Sequence, residues 1–201
     1  MLAAPIVDED TYEGERNAAG EYEGAGKMIY ASGDIYEGQW KAGLRHGRGW
    51  QRLAAGDLYE GDFEDGLYHG FGKVQFPRGA SYEGQWRAAK SHGRGKLTFP
   101  DGNTFEGDFV ADQKMGHGTL TFNNGDVFEG KFNRMREGVG TYTYADGRRL
   151  ISRYEANNAK GEGVVLIQGS GRARKATDGI EEEEVSIEDA RRVEAALRSL
   201  D

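Results

Sequence analysis

An aromatic-Glu-Gly tripeptide recurs along this chain at a nearly constant interval, and that period constrains the fold more than any other feature. Tyr12-Glu13-Gly14, Tyr36-Glu37-Gly38, Tyr59-Glu60-Gly61, Tyr82-Glu83-Gly84, Phe105-Glu106-Gly107 and Phe128-Glu129-Gly130 begin 24, 23, 23, 23 and 23 residues apart. A fixed period of this length marks an array in which each copy is one supersecondary unit stacked on its neighbours. From the second copy to the sixth, another aromatic follows four residues on: Trp40, Phe63, Trp86, Phe109 and Phe132. Leu150, Ser152 and Tyr154 continue the register as a degenerate seventh copy.

Each start is followed by a Gly-x-Gly pair, from Gly24/Gly26 and Gly47/Gly49 through to Gly138/Gly140 and Gly161/Gly163, which then runs into alternating apolar residues. Alternation with period two makes both halves of the unit strands. It places Tyr36, Gly38 and Trp40 on one face and Glu37 and Gln39 on the other. Glycine weakens a strand unless another group approaches closely, so the pairs are read as room for rings to lie over the backbone. Pro100-Asp101-Gly102, Asn124-Gly125 and Asp146-Gly147 supply turns between units, and a loop of about five residues such as Lys41–Arg45 is expected within each unit.

The composition agrees. Glycine fills 32 positions and apolar residues make up 37 %, too few for a thick core, while regular aromatics at 11 % argue against disorder. The expected fold is all-β: an elongated single-layer antiparallel sheet of about seven stacked hairpins, plus a short C-terminal α-helix.

Tyr36-Glu37-Gly38-Gln39-Trp40 followed by His46-Gly47-Arg48-Gly49 resembles the MORN repeat, and the likeness covers roughly residues 9–168. The resemblance implies a hairpin array serving as scaffold, dimerisation or tethering element. The terminal copies depart from it: the first has Arg16 for the second aromatic and Glu23 for histidine, and the last has lost Tyr-Glu-Gly. Atypical end repeats act as caps.

The expected organisation is an N-terminal extension over 1–8, the repeat sheet over 9–168, a flexible charged linker over 169–185 and an amphipathic helix over 186–201. The linker reading rests on Arg172, Arg174 and Lys175 followed by the acidic run Glu181 to Glu184. Ser186 fits an N-cap, and Ala190, Val193, Leu197 and Leu200 form one apolar stripe. A helix of about 15 residues is marginal alone, so this docking helix needs a surface on its own sheet or on another subunit.

Chemistry is hard to place. With no cysteine there is no thiolate metal site or thiol nucleophile. His46, His69 and His92 recur every 23 residues, but two strands at about 4.8 Å each separate equivalent positions by about 9.6 Å, too far to share zinc. They read as turn histidines repeated by the motif. The glutamates Glu37, Glu60, Glu83, Glu106 and Glu129 repeat in one environment, whereas an acid and a base need different ones, so they read as partners of Arg48, Lys73 and Arg94. The Gly-x-Gly pairs run into strands, unlike phosphate cradles that open onto a helix. No catalytic residue, metal or cofactor is expected, and the chain reads as a non-enzyme.

Among functions, the resemblance points to a structural scaffold of a cytoskeletal assembly. The segment Tyr12 to Glu21 resembles the opening of radial spoke head MORN proteins, which implies a cytoplasmic, cytoskeletal location in a cilium or flagellar axoneme and other spoke-head subunits as partners, with homodimerisation allowed. The alternatives are a membrane or phosphoinositide tether and a regulatory module for a separate enzyme. A net charge of −8 weighs against nucleic acid and, less strongly, against membrane. The preferred partner-binding face is the aromatic one, lined by Tyr36, Trp40, Tyr59, Phe63, Tyr82, Trp86, Phe105 and Phe109, unless the sheet's own packing consumes these rings.

Overall fold

The computed structural model describes residues 8–200. Most of the expected 1–8 extension, and Asp201 at the end of the tail, lie outside the described residues. The chain divides after Pro100 into two compact units. The first holds β1 (Thr11–Arg16), β2 (Tyr22–Ile29), β3 (Ile35–Lys41), β4 (Leu44–Arg52), β5 (Leu58–Glu64), β6 (Leu67–Gln75), β7 (Ser81–Arg87) and β8 (Lys90–Thr98). The second holds β9 (Thr104–Val110), β10 (Gln113–Thr121), β11 (Val127–Asn133), β12 (Met135–Thr143), β13 (Arg149–Glu155), β14 (Asn158–Ile167), β15 (Arg172–Thr177), β16 (Ile180–Val185) and α1 (Ile187–Arg198). Within each unit every strand pairs antiparallel with the next, giving a single-layer sheet of hairpins.

Three expectations change. Among the described residues the hairpins number eight, because residues 172–185 form β15 and β16 and not a flexible linker. The two charged stretches hold each other: Arg172 pairs with Glu184, and Arg174 with Glu181 at 3.4 Å. Asp178-Gly179 between them is the hairpin turn, with φ of 51° and 81°. Second, the connection inside six of the eight hairpins is two residues, not five; β1 and β2 are joined by the five residues 17–21, and β11 and β12 by Arg134 alone. Lys41 pairs directly with Leu44, leaving Ala42 and Gly43 at φ 47° and 77°, as a type I′ turn requires. Third, His46 and His69 lie in strands, opposite Gln39 and Asp62, and not in turns.

The Gly-x-Gly pair has two jobs. Its second glycine faces the glycine of aromatic-Glu-Gly across the ladder, as in Gly38↔Gly49 and Gly61↔Gly72. A ring lies over that pair: a Cβ on Gly72 would stand 2.3 Å from the Tyr59 hydroxyl oxygen. Its first glycine forms a bulge where the register shifts, at φ 57° in Gly47 and 55° in Gly70. The residue after Tyr-Glu-Gly caps that bulge: Gln39 Oε1 accepts from Arg48 N at 3.2 Å, and Asp62 Oδ2 from Phe71 N at 2.9 Å.

The helix docks on its own sheet. Ser186 Oγ accepts from Asp189 N at 3.1 Å, the expected N-cap. Ala190 and Leu197 are buried with Val139, Ile151, Val164 and Ala173, and Val193 packs against the same cluster. Leu200, assigned to the docking stripe, lies beyond α1 and is 63 % exposed.

Candidate functional site

The two faces of the sheet are chemically unlike. On the aromatic face the eight rings expected to meet a partner are 0 to 9 % exposed. They meet edge-on in a chain: Tyr36 with Trp40 at 5.0 Å and Phe63 at 4.9 Å, Tyr59 with Phe63 at 5.1 Å and Trp86 at 5.6 Å, Phe105 with Phe109 at 5.3 Å. Polar tips are satisfied inside. Tyr36 and Tyr59 hydroxyls donate to Gln39 O and Asp62 O at 2.8 and 2.9 Å, and Trp86 Nε1 donates to Gly72 O at 3.0 Å. The residue opposite the second aromatic lies over the rings: the Arg45 guanidinium stands 5.9 Å from Tyr36 and 5.7 Å from Phe63, and Tyr68 stacks on Tyr59 at 3.7 Å. The sheet's own packing consumes the rings, and Arg45 and Tyr68 lie above them.

Two expected outcomes follow. Trp86→Ala should lower stability by about 3–5 kcal/mol, as loss of a large buried ring does, and a chemical denaturation curve matching wild type would return Trp86 to the surface. The second concerns pH. Burial pushes the Tyr36 and Tyr59 hydroxyls well above the ordinary phenol range and that of Tyr154 up to about 12. Raised values favour the neutral form in the fold, so this stability is complete below about pH 10 and lost as pH rises through the folded pKa values. Each such tyrosine withdraws up to about 1.4 kcal/mol per pH unit in that window. Thermal melts should therefore hold level from neutral pH to about pH 10 and fall steeply above it, whereas a flat profile across that boundary would contradict the burial.

The opposite face carries a ladder of alternating charge. In the first unit it runs in register Glu13, Lys27, Glu37, Trp50, Glu60, Lys73, Glu83, Lys96. Lys73 meets Glu83 at 3.2 Å as expected of such pairs, while Arg48 turns to Asp62 at 3.8 Å and not to a glutamate of the ladder. In the second unit the same row runs Glu106, Thr119, Glu129, Thr141, Ile151, Val164, Lys175. Ile151 stands where the other copies have glutamate, and α1 lies on it. The degenerate copy is thus the helix's docking site, and the Glu-to-Ile change was its signal in the sequence.

Sequence reasoning also missed the exposed apolar residues of the first unit. Phe71 is 54 % exposed on the charged face, and Leu44 and Leu67 are exposed beside the hairpin turns. Among the described residues no group of three or more His, Cys, Asp or Glu could hold a metal ion, and no helix is long and apolar enough to cross a membrane.

Comparison with known proteins agrees with this architecture. The MORN repeat family model matches residues 18–35, 36–58, 59–81, 82–104, 105–127 and 135–148. No curated protein gives a significant match. Among solved structures, the chain is similar to the SAS-4 (dCPAP) TCP domain of Drosophila melanogaster, described in complex with a proline-rich motif of Ana2 (dSTIL). The match has 16 % identity and a TM-score of 0.53 and covers 88 % of this chain and 93 % of that one. It is also similar to the G-box domain of the microcephaly protein CPAP, with 15 % identity, a TM-score of 0.53 and coverage of 85 % and 89 %. At these identities the likeness is one of fold. The family match spans more than half of the chain. With its glycine-seated rings recurring through both units, the chain belongs to the MORN repeat family.

Proposed function

We propose that the chain is a scaffold that holds other proteins within a cytoskeletal assembly, and specifically a subunit of the radial spoke head of a ciliary or flagellar axoneme. The observation that carries the scaffold reading is the way the rings close on one another. They fill the interior, no metal-holding group of His, Cys, Asp or Glu accompanies them among the described residues, and the sheet presents two chemically distinct surfaces. A fold that can hold a peptide supports it: the fly TCP domain, similar in fold, is described with a proline-rich motif. The spoke-head assignment draws on the likeness of Tyr12 to Glu21 to the opening of such proteins. On the aromatic face, contact runs through Arg45 and Tyr68 over the rings. The helix stripe of Ala190, Val193 and Leu197 is engaged in cis, which leaves Leu200 as its free apolar end.

The test is expression of the tagged protein in a ciliated cell, followed by detergent extraction of axonemes. Retention that only high salt or chaotrope reverses is expected. Release with detergent would favour a membrane tether, and absence from cilia would remove the spoke-head function.

A further inference from the structure

The net charge of −8 conceals a basic region. Residues 66–100 carry Lys73, Arg78, Arg87, Lys90, Arg94 and Lys96 against the single acid Glu83. In the fold this stretch is β6, β7, β8 and their turns. Lys73 is engaged by Glu83, but Arg87 and Lys90 lie opposite each other across the Ala88-Ala89 turn. Both are exposed, and neither has an ion-pair partner among the described residues. Like charges placed directly across a ladder repel, so an anion beside the pair would relieve it.

An apolar surface adjoins it. Phe71, Arg87, His69 and His92 line one shallow depression of about 390 Å³ on the charged face, where His69 Nδ1 meets Glu64 at 2.9 Å; Lys90 adjoins it as the cross-strand neighbour of Arg87. Phe71 occupies the middle position of Gly70-Phe71-Gly72, and the equivalent residue of the sixth hairpin is Val139 in Gly138-Val139-Gly140. Val139 is 7 % exposed in the cluster under α1, whereas Phe71 is 54 % exposed. The same position of the repeat is therefore seen once covered by an apolar helix stripe and once uncovered. The other basic cluster of the chain differs, because Arg172, Arg174 and Lys175 are all paired, with Glu184, Glu181 and Glu162.

We propose that this depression binds an acidic segment of a partner protein, its carboxylates held by Arg87 and Lys90 and an apolar side chain laid on Phe71. The proposal rests on the reading of the chain as a protein-binding scaffold and names the chemistry of one partner. A peptide is favoured over a polyanionic surface for two reasons. Screening confines the patch's field to about 8 Å at physiological ionic strength, so a short segment feels the patch while an extended nucleic acid or membrane meets the acidic remainder. An exposed phenylalanine beside cations also suits a side chain more than a phosphate.

The test uses the full chain and a fluorescein-labelled peptide, Glu-Glu-Leu-Glu-Glu-Leu, with Gln-Gln-Leu-Gln-Gln-Leu as control, read by fluorescence anisotropy. The glutamate peptide should bind with an affinity that falls with salt. Arg87→Glu with Lys90→Glu, and separately Phe71→Ala, should each weaken it about tenfold or more. All three positions are exposed, so circular dichroism and melting should match wild type. Equal binding of the glutamine peptide, or unchanged affinity in the variants, would overturn the proposal. Binding of phosphatidylserine vesicles lost in the same variants, with no peptide binding, would overturn the occupant named here. Axonemal retention of the wild-type chain is read separately, so a failure of this patch is distinguishable from a failure of the scaffold reading.

Discussion

Gly72→Ala is expected to destabilise the protein by about 3 kcal/mol, although the substitution adds one methyl group at a backbone conformation that alanine adopts freely. The new Cβ would stand 2.3 Å from the Tyr59 hydroxyl oxygen and 2.6 Å from Cζ. Tyr59 cannot give way cheaply. Its hydroxyl donates to Asp62 O at 2.9 Å, Tyr68 stacks on it at 3.7 Å, and Phe63 and Trp86 meet it edge-on at 5.1 and 5.6 Å. Moving the ring therefore disturbs two hairpins. For a chain of this length the melting temperature should fall by roughly 6–12 °C. Gly79→Ala is the contrast: φ is +88° and nothing lies within 4 Å, so the loss should stay near 1 kcal/mol, from backbone conformation alone. Equal losses at the two sites would deny the ring seat.

Ile151→Glu should release α1, although it only restores the residue that earlier copies carry. Ile151 is fully buried under the helix, and an unpaired carboxylate there costs about 3–5 kcal/mol. A helix of 12 residues has little stability of its own, so undocking is the cheaper response. Hydrogen exchange should show α1 amides losing protection while β9 to β12 keep theirs, with a matching drop in helical circular dichroism. Protection of α1 unchanged from wild type would mean that the helix is held by something other than this patch.

These residues also show what the sequence made legible. The Tyr-Glu-Gly period and the two-residue alternation predict the hairpins, because side-chain direction in a strand follows parity alone. Ser186 marked the start of α1 for a similarly local reason, since an N-cap needs only its own next turn. The eighth hairpin escaped because charge pairing between Arg172 and Glu184 replaces the apolar alternation that signals a strand elsewhere, leaving Asp178-Gly179 as its one local mark. The two-residue turns escaped because Ala42, Ala88 and Ala89 adopt positive φ without being turn-forming types. Whether the aromatic rings faced a partner or one another depended on the overlying Arg45 and Tyr68, which register places but spacing alone does not. The Arg87 and Lys90 pair was hidden by whole-chain charge, which averages it with the acids of the whole chain.

The central claim, that glycine pairs exist to seat rings, is tested most directly by a double-mutant cycle between Tyr59→Ala and Gly72→Ala in chemical denaturation. If the ring is the reason for the glycine, Gly72→Ala should cost little once Tyr59 has lost its ring, giving a coupling of about 2 kcal/mol or more. If Gly72→Ala costs as much without the ring as with it, the glycine serves the backbone and the account of this core is wrong.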